Sequence, residues 1–170
     1  MRGLPPSLVD LCLDNRAVSD ASLRQLAPLT RLRRIDLFGA SVSDSGAAAL
    51  AAALPSLTSL ELCGGLITNV GCRHLARIGG LVSLNLSQHG RVGTDGVRAL
   101  AASLSQLRRI SLDATAVDSG VFAELARLPS LARVSLCHTC VAPGCADALR
   151  ERLPHVHIRC SGSGDGGPRA

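Results

Sequence analysis

The densest group of chemically capable residues lies near the end of the chain. Cys137-His138-Thr139-Cys140 is followed there by Cys145, His155, His157 and Cys160. A C-x2-C pair with later thiols or imidazoles is the pattern of a tetrahedral zinc site, and paired thiols also serve redox exchange. A second group is the triplet Asp-Ser-Gly, at 44–46 and again at 118–120. It reads either as a phosphorylation-dependent degradation signal or as the start of a helix, where Asp accepts a bond from an otherwise unpaired N–H. The histidines at 74, 89, 138, 155 and 157 fall in no nucleophile or metalloprotease motif, and no glycine-rich phosphate loop follows a strand pattern. No catalytic residue, metal or cofactor is therefore assigned.

The elements that must position these residues repeat. L-x-x-L-x-L begins at Leu8, Leu32, Leu57, Leu81, Leu107 and Leu131, so the unit is 24 to 26 residues long. The cores read LVDLCL, LRRIDL, LTSLEL, LVSLNL, LRRISL and LARVSL, with a polar-flanked seventh copy, LPHVHI, from Leu153. Alternation within each core predicts a short strand with one buried face. A small aliphatic anchor follows (Val18, Val42, Ile67, Val92, Val117, Val141). Pairs such as Leu50 with Leu54 and Leu100 with Leu104 then predict an amphipathic helix of two to three turns. Strand and helix in strict repetition give an α/β solenoid, a horseshoe arc with parallel strands on the concave face and helices on the convex one. Six repeats and a terminal strand are expected over 8–159, with a short leader at 1–7 and a disordered tail at 160–170.

Repetition reinterprets both groups. Cys137 falls at the strand exit shared with Phe38 and Cys63, facing the concave side. Cys140 falls in a turn position held elsewhere by Ala17, Ser41 and Ala116, where it is expected half-buried. Their side chains should diverge, so small apolar cysteines replacing Ala or Ser are preferred over a zinc or redox site. Asp44 and Asp118 are read as one column of helix caps with Asp20, Asn69 and Thr94, followed by Gly46, Gly71, Gly96 and Gly120 for close helix stacking.

Composition sets the remaining bounds. Phe38 and Phe122 are the only aromatic residues among 170, and every basic residue is Arg. The start, MRGLPPSLVD, has no apolar leader segment, and no apolar run reaches a membrane span. Seven cysteines in such a chain predict free thiols in a reducing compartment, cytoplasmic or nuclear.

The stretches DLFGASVSDSG, LELCGGLITNVG and GGLVSLNLSQ, with their V-x-D-x-G helix entry, resemble intracellular leucine-rich-repeat proteins of plants and algae. The type is the cysteine-containing repeat of F-box and mitotic-exit-antagonist-like proteins. The resemblance implies a non-catalytic protein-binding module, or the substrate-recognition part of an SCF-type ubiquitin ligase, although the repeats begin at Leu8 with no F-box before them.

The expected partner surface is the concave sheet face: Arg34, Asp36, Phe38, Glu61, Cys63, Asn85, Arg109, Asp113 and Arg133. Its interleaved acids and arginines, without an aromatic ladder, predict a protein partner and neither nucleic acid nor membrane, despite the net charge of +5. Phe38 beside Arg34 is the expected centre of binding energy. The first repeat should present an uncovered apolar end, to be covered by further repeats or another chain.

Overall fold

A computed structural model describes residues 4–13, 18–142 and 145–160. Of the tail expected at 160–170, Cys160 ends the last strand and residues 161–170 lie outside the described residues. Seven strands form one parallel sheet in chain order: β1 (Asp10–Cys12), β2 (Arg34–Asp36), β3 (Ser59–Glu61), β4 (Ser83–Asn85), β5 (Arg109–Ser111), β6 (Arg133–Leu136) and β7 (His157–Cys160). Between them run α1 (Asp20–Leu23), α2 (Asp44–Ala53), α3 (Asn69–Leu75), α4 (Thr94–Ala101), α5 (Val121–Leu125) and α6 (Cys145–Arg152). From α1 to α5, each helix packs on the next.

The leucine period builds this sheet directly. Ile35, Leu60, Leu84, Ile110 and Val134 pair in register across β2 to β6 and are at most 3% exposed. Leu32, Leu57, Leu81, Leu107 and Leu131 are buried beside them, as are Leu50, Leu75, Leu100 and Leu125 from the helices. Burying each such side chain contributes about 1.5–3 kcal/mol. In the first repeat the equivalent Leu8, Leu11 and Leu13 are only partly buried, while Val9 is 45% exposed, which is the apolar end expected there.

Two expectations shift. The helices are uneven: α2 has 10 residues, but α1 has 4 before a 3-10 turn at Arg24–Leu26, and α5 has 5. The last strand lies two residues later than the LPHVHI frame. His157, not His155, pairs with Arg133, and Ile158 pairs with Val134.

The helix starts hold the largest correction. Asp20, Asp44, Asn69 and Thr94 are first helical residues, and Ser19, Ser43, Thr68 and Gly93 before them are the caps. The hydroxyls of Ser43 and Thr68 accept from Ser45 N–H and Val70 N–H. The side chains of the predicted caps reach instead into the next repeat. Asp20 accepts from Ser43 N–H (2.9 Å), Asp44 from Thr68 N–H (2.8 Å) and Asn69 from Gly93 N–H (2.8 Å). Thr94 accepts from Asp118 N–H (3.3 Å) and Ser119 from Ala142 N–H (3.2 Å). Asp44 also accepts from the Thr68 hydroxyl and from Gly71 N–H.

The two Asp-Ser-Gly triplets are therefore out of register by one residue. Asp118 directly follows its anchor Val117 and occupies the place of Ser43, accepting from Gly120 N–H; Ser119 occupies the place of Asp44. Gly120 accordingly leaves the glycine column, where Val121 stands.

That column serves the ladder. A Cβ on Gly46 or Gly71 would overlap the carboxylate of Asp20 or Asp44, and one on Gly96 would lie 2.7 Å from Asn69 Oδ1. Where the reaching side chain shortens to Thr94, Val121 fits. Asp44→Ala should lower unfolding free energy by about 2–3 kcal/mol, since it strands several donors at once. Gly71→Ala should also destabilise, and the double variant should lose less than the sum, because removing the carboxylate opens its space. Urea unfolding of the three variants measures this coupling.

Candidate functional site

The side of the sheet away from the helices is built by the polar positions of each strand, which alternate with the buried leucines. Its rows run in register: Asp10, Arg34, Ser59, Ser83, Arg109, Arg133 and His157 form one column. Cys12, Asp36, Glu61, Asn85, Ser111, Ser135 and Arg159 form the next. The nine sequence-predicted residues thus lie on one sheet or at its exit turn, but they are not equivalent.

At the N-terminal half the charges are engaged. Arg34 donates to both carboxylate oxygens of Asp10, at 2.5 and 2.8 Å. Asp36 accepts from Phe38 N–H at 2.9 Å, and Phe38 itself is 43% exposed. In the middle, Asn85 donates to Glu61 at 2.8 Å and accepts from Ser87 N–H. Asp113 accepts from the Ser135 hydroxyl (2.6 Å) and from Cys137 N–H (2.7 Å), which ties two repeats at the rim. Arg109 and Arg133 are exposed, and their side chains make no hydrogen bond or ion pair among the described residues. A depression of about 290 Å³ runs between them and Glu61, reaching Arg159.

Cys63 departs from the expectation. It is 2% exposed, a short side chain between the rows of Phe38 and Ser87, and unsuited to touching a partner. Burial first, then the charges of Glu61, Asp113 and Asp36, pushes its thiol pKa up. Cys137 and Cys140 reverse the burial expected of them: Cys137 is buried and Cys140 exposed. The side chain of Cys145 lies outside the described residues, and no group of three metal-ligating side chains occurs among those described. Cys72 is fully buried, and its thiol is pushed up to about 12, mainly by burial.

His89, which falls in no catalytic motif, is 1% exposed. Its Nε2 lies 2.7 Å from the Leu62 carbonyl oxygen, and its Nδ1 accepts from Ile67 N–H at 3.3 Å. Nε2 therefore carries the proton and the ring is neutral. A Cβ on Gly65 would lie 3.0 Å from the ring, so that glycine makes room for it. The 26-residue spacing of this repeat, the longest of the set, was the available signal.

A family model described as Leucine Rich repeat matches residues 29–51 and 81–101. A leucine-rich-repeat protein of Leptospira interrogans superposes with a TM-score of 0.64 at 19% identity, over 90% of this chain and 37% of that one. The fold is a leucine-rich-repeat solenoid. An internalin from Listeria monocytogenes matches with a TM-score of 0.61 at 17% identity, over 96% of this chain and 49% of its own. A chain of the yeast Rad7 and Elc1 complex gives 0.68 at 19% identity, over 89% and 42%. The chain thus spans less than half the length of each of these solenoids. No curated protein matches it. The leucine-rich-repeat arc leaves one sheet face open, and no helix among the described residues is long and apolar enough to cross a membrane.

Burial lowers the pKa of His89 from its ordinary 6.5, against smaller raising effects from Leu62, Gly65 and Asp44. The unfolded chain takes up a proton below 6.5 that the folded state resists. The stabilisation from a neutral His89 is thus complete above 6.5 and is lost as pH falls from there toward the folded value. Thermal unfolding of the parent should weaken from pH 8 to pH 5. His89→Gln should be less stable at pH 8 but lose less on acidification; an unchanged slope would contradict this role.

Proposed function

We propose that the chain is a non-catalytic protein-interaction module that binds its partner on the concave sheet face. The observation that carries this reading is the asymmetry of the sheet. One side is sealed by leucines, while the other presents Arg34, Asp36, Arg109 and Arg133 in register, and Phe38 beyond the end of β2, with no helix over them among the described residues. Exposed Phe38 and Arg34, both of the second repeat, are of the residue types that dominate binding energy at protein interfaces. Glu61, Asn85 and Asp113 are half-buried and fixed by hydrogen bonds, so they shape the surface more than they extend from it. Cys63 drops out of the contact set. The partner is a protein, not nucleic acid or membrane, and the apolar end at Leu8 and Val9 offers a second surface for further repeats or another chain. The setting is cytoplasmic or nuclear, in keeping with the free thiols of Cys63, Cys72, Cys137 and Cys140.

A second reading is substrate recognition within an SCF-type ubiquitin ligase. It rests on the resemblance to cysteine-containing plant and algal repeats, with the likeness to a chain of a two-protein complex in yeast beside it. Affinity purification of the parent against Arg34→Glu/Phe38→Ala separates the cases. Proteins captured by the parent and lost from the variant are expected, with ligase subunits among them only under the second reading. Identical captures from both chains would refute Arg34 and Phe38 as the centre of the binding surface.

A further inference from the structure

The charges on the concave face alternate along the sequence but are sorted along the arc. Arg34, near one end, is neutralised by Asp10, with Asp36 and Glu61 beside it. At the other end Arg109 pairs directly with Arg133, which pairs with His157, while Arg159 stands in the adjacent column. Arg108 precedes this group and lines a second depression with Arg109, Arg133 and His157. All five side chains are exposed, and none makes a hydrogen bond or ion pair among the described residues.

Like charges opposite one another on neighbouring strands destabilise a sheet. The arginines also contribute nothing to the buried leucine face. The depression beneath them is open, with only Glu61 at its far edge bringing a carboxylate, and that carboxylate is already bonded to Asn85. Guanidinium groups bind carboxylates through paired N–H donors, so a cluster of unpaired arginines complements an anionic chain.

We propose that the C-terminal half of the concave face, from β3 to β7, is the docking site for an extended acidic peptide segment of a protein partner. This rests on the concave-face reading above and names the chemistry of what binds there. Five strands at about 4.8 Å spacing make a floor about 19 Å across, the length of about six extended residues. The acidic segment lies across the strands, its carboxylates on Arg109, Arg133 and Arg159. Asp36 and, at the edge of the floor, Glu61 repel it on that side and so set its position on the arc, while the Asp113 carboxylate at the exit of β5 is engaged by the Ser135 hydroxyl and Cys137 N–H. No aromatic platform stacks bases here, which favours a peptide over a single-stranded nucleic acid.

The test is fluorescence anisotropy with a labelled hexaglutamate peptide, its hexaglutamine counterpart and a single-stranded oligonucleotide, each added to the full chain. The glutamate peptide should bind, weaken with added salt, and lose about tenfold or more in affinity with Arg109→Ser/Arg133→Ser. That variant removes the like-charge pair, so its unfolding midpoint should equal or exceed the parent's, which separates lost binding from lost fold. Arg34→Ser should change affinity little. Glutamine binding equally well, binding unaffected by the double variant, or tighter oligonucleotide binding through the same arginines would each overturn the proposal. Should captured partners still depend on Arg34 and Phe38 while hexaglutamate fails to bind, the acidic-segment assignment falls and the concave-face reading stands.

Discussion

A side-chain oxygen that reaches from one repeat to the helix start of the next holds this solenoid in register. Helix starts carry N–H groups with no partner inside the helix. Here Asp20, Asp44, Asn69, Thr94 and Ser119 supply an acceptor from the preceding unit. The starts of α2, α3 and α4 are thus completed by the preceding repeat, and the turns ahead of α5 and α6 are tied the same way, which makes the repeats interdependent beyond the burial of leucines. The carboxylates also lie at the positive ends of helices, a favourable placement. The ladder constrains residues that never touch a partner: glycine is needed wherever Asp or Asn must pass, and the requirement relaxes at Val121, behind the shorter Thr94.

The same neighbour logic explains the turns after the strands. Gly39, Gly64, Gln88, Ala114 and His138 all adopt positive φ, between 54° and 75°. Glycine takes this conformation at no steric cost, whereas Ala and Gln do so against a penalty of about 1 kcal/mol or more. The conformation persists because the turn's N–H groups bond forward across the repeat: Gly39 to the Cys63 carbonyl, Gly64 to Ser87, Gln88 to Asp113 and Ala114 to Cys137. Pairing with the next repeat outweighs local preference at Gln88 and Ala114.

This division also marks what the sequence disclosed. The leucine period located six of the seven strands and the buried helix positions, because each layer of core is repeated and tolerates few substitutions. It failed where a residue acts outside its own repeat. Asp44 and Asp118 carry the same triplet, yet only their distance from Val42 and Val117 reveals that one reaches the next repeat while the other accepts from Gly120 N–H within its own turn. His89 bonds to Leu62 and Ile67 of the preceding unit, so within its own repeat only the extra length of the loop set it apart. Likewise β7, lacking a full leucine set, slid by two residues from its expected frame. On the open face the leucine period set the columns but neither the pairing nor the burial of Cys63. Arg34 and Arg109 occupy the same column, and only the strand order shows that Asp10 neutralises one while Arg133 crowds the other.

That contrast bears on how such an arc separates stability from recognition. Core positions and ladder positions lie on the helix side and at the helix starts, so they are fixed by packing and by donors that must be satisfied. Positions on the open face are bounded only by their lateral neighbours, about 4.8 Å away on each side. A pair such as Asp10 and Arg34, exposed to water, adds little to stability. An unpaired pair such as Arg109 and Arg133 costs correspondingly little, because solvent screens it. The face can therefore hold a charge distribution that the fold does not need. Once a complementary chain displaces that solvent, the screening falls and the same arginines interact strongly with its carboxylates. A surface nearly neutral in its effect on folding can thereby be selective in binding.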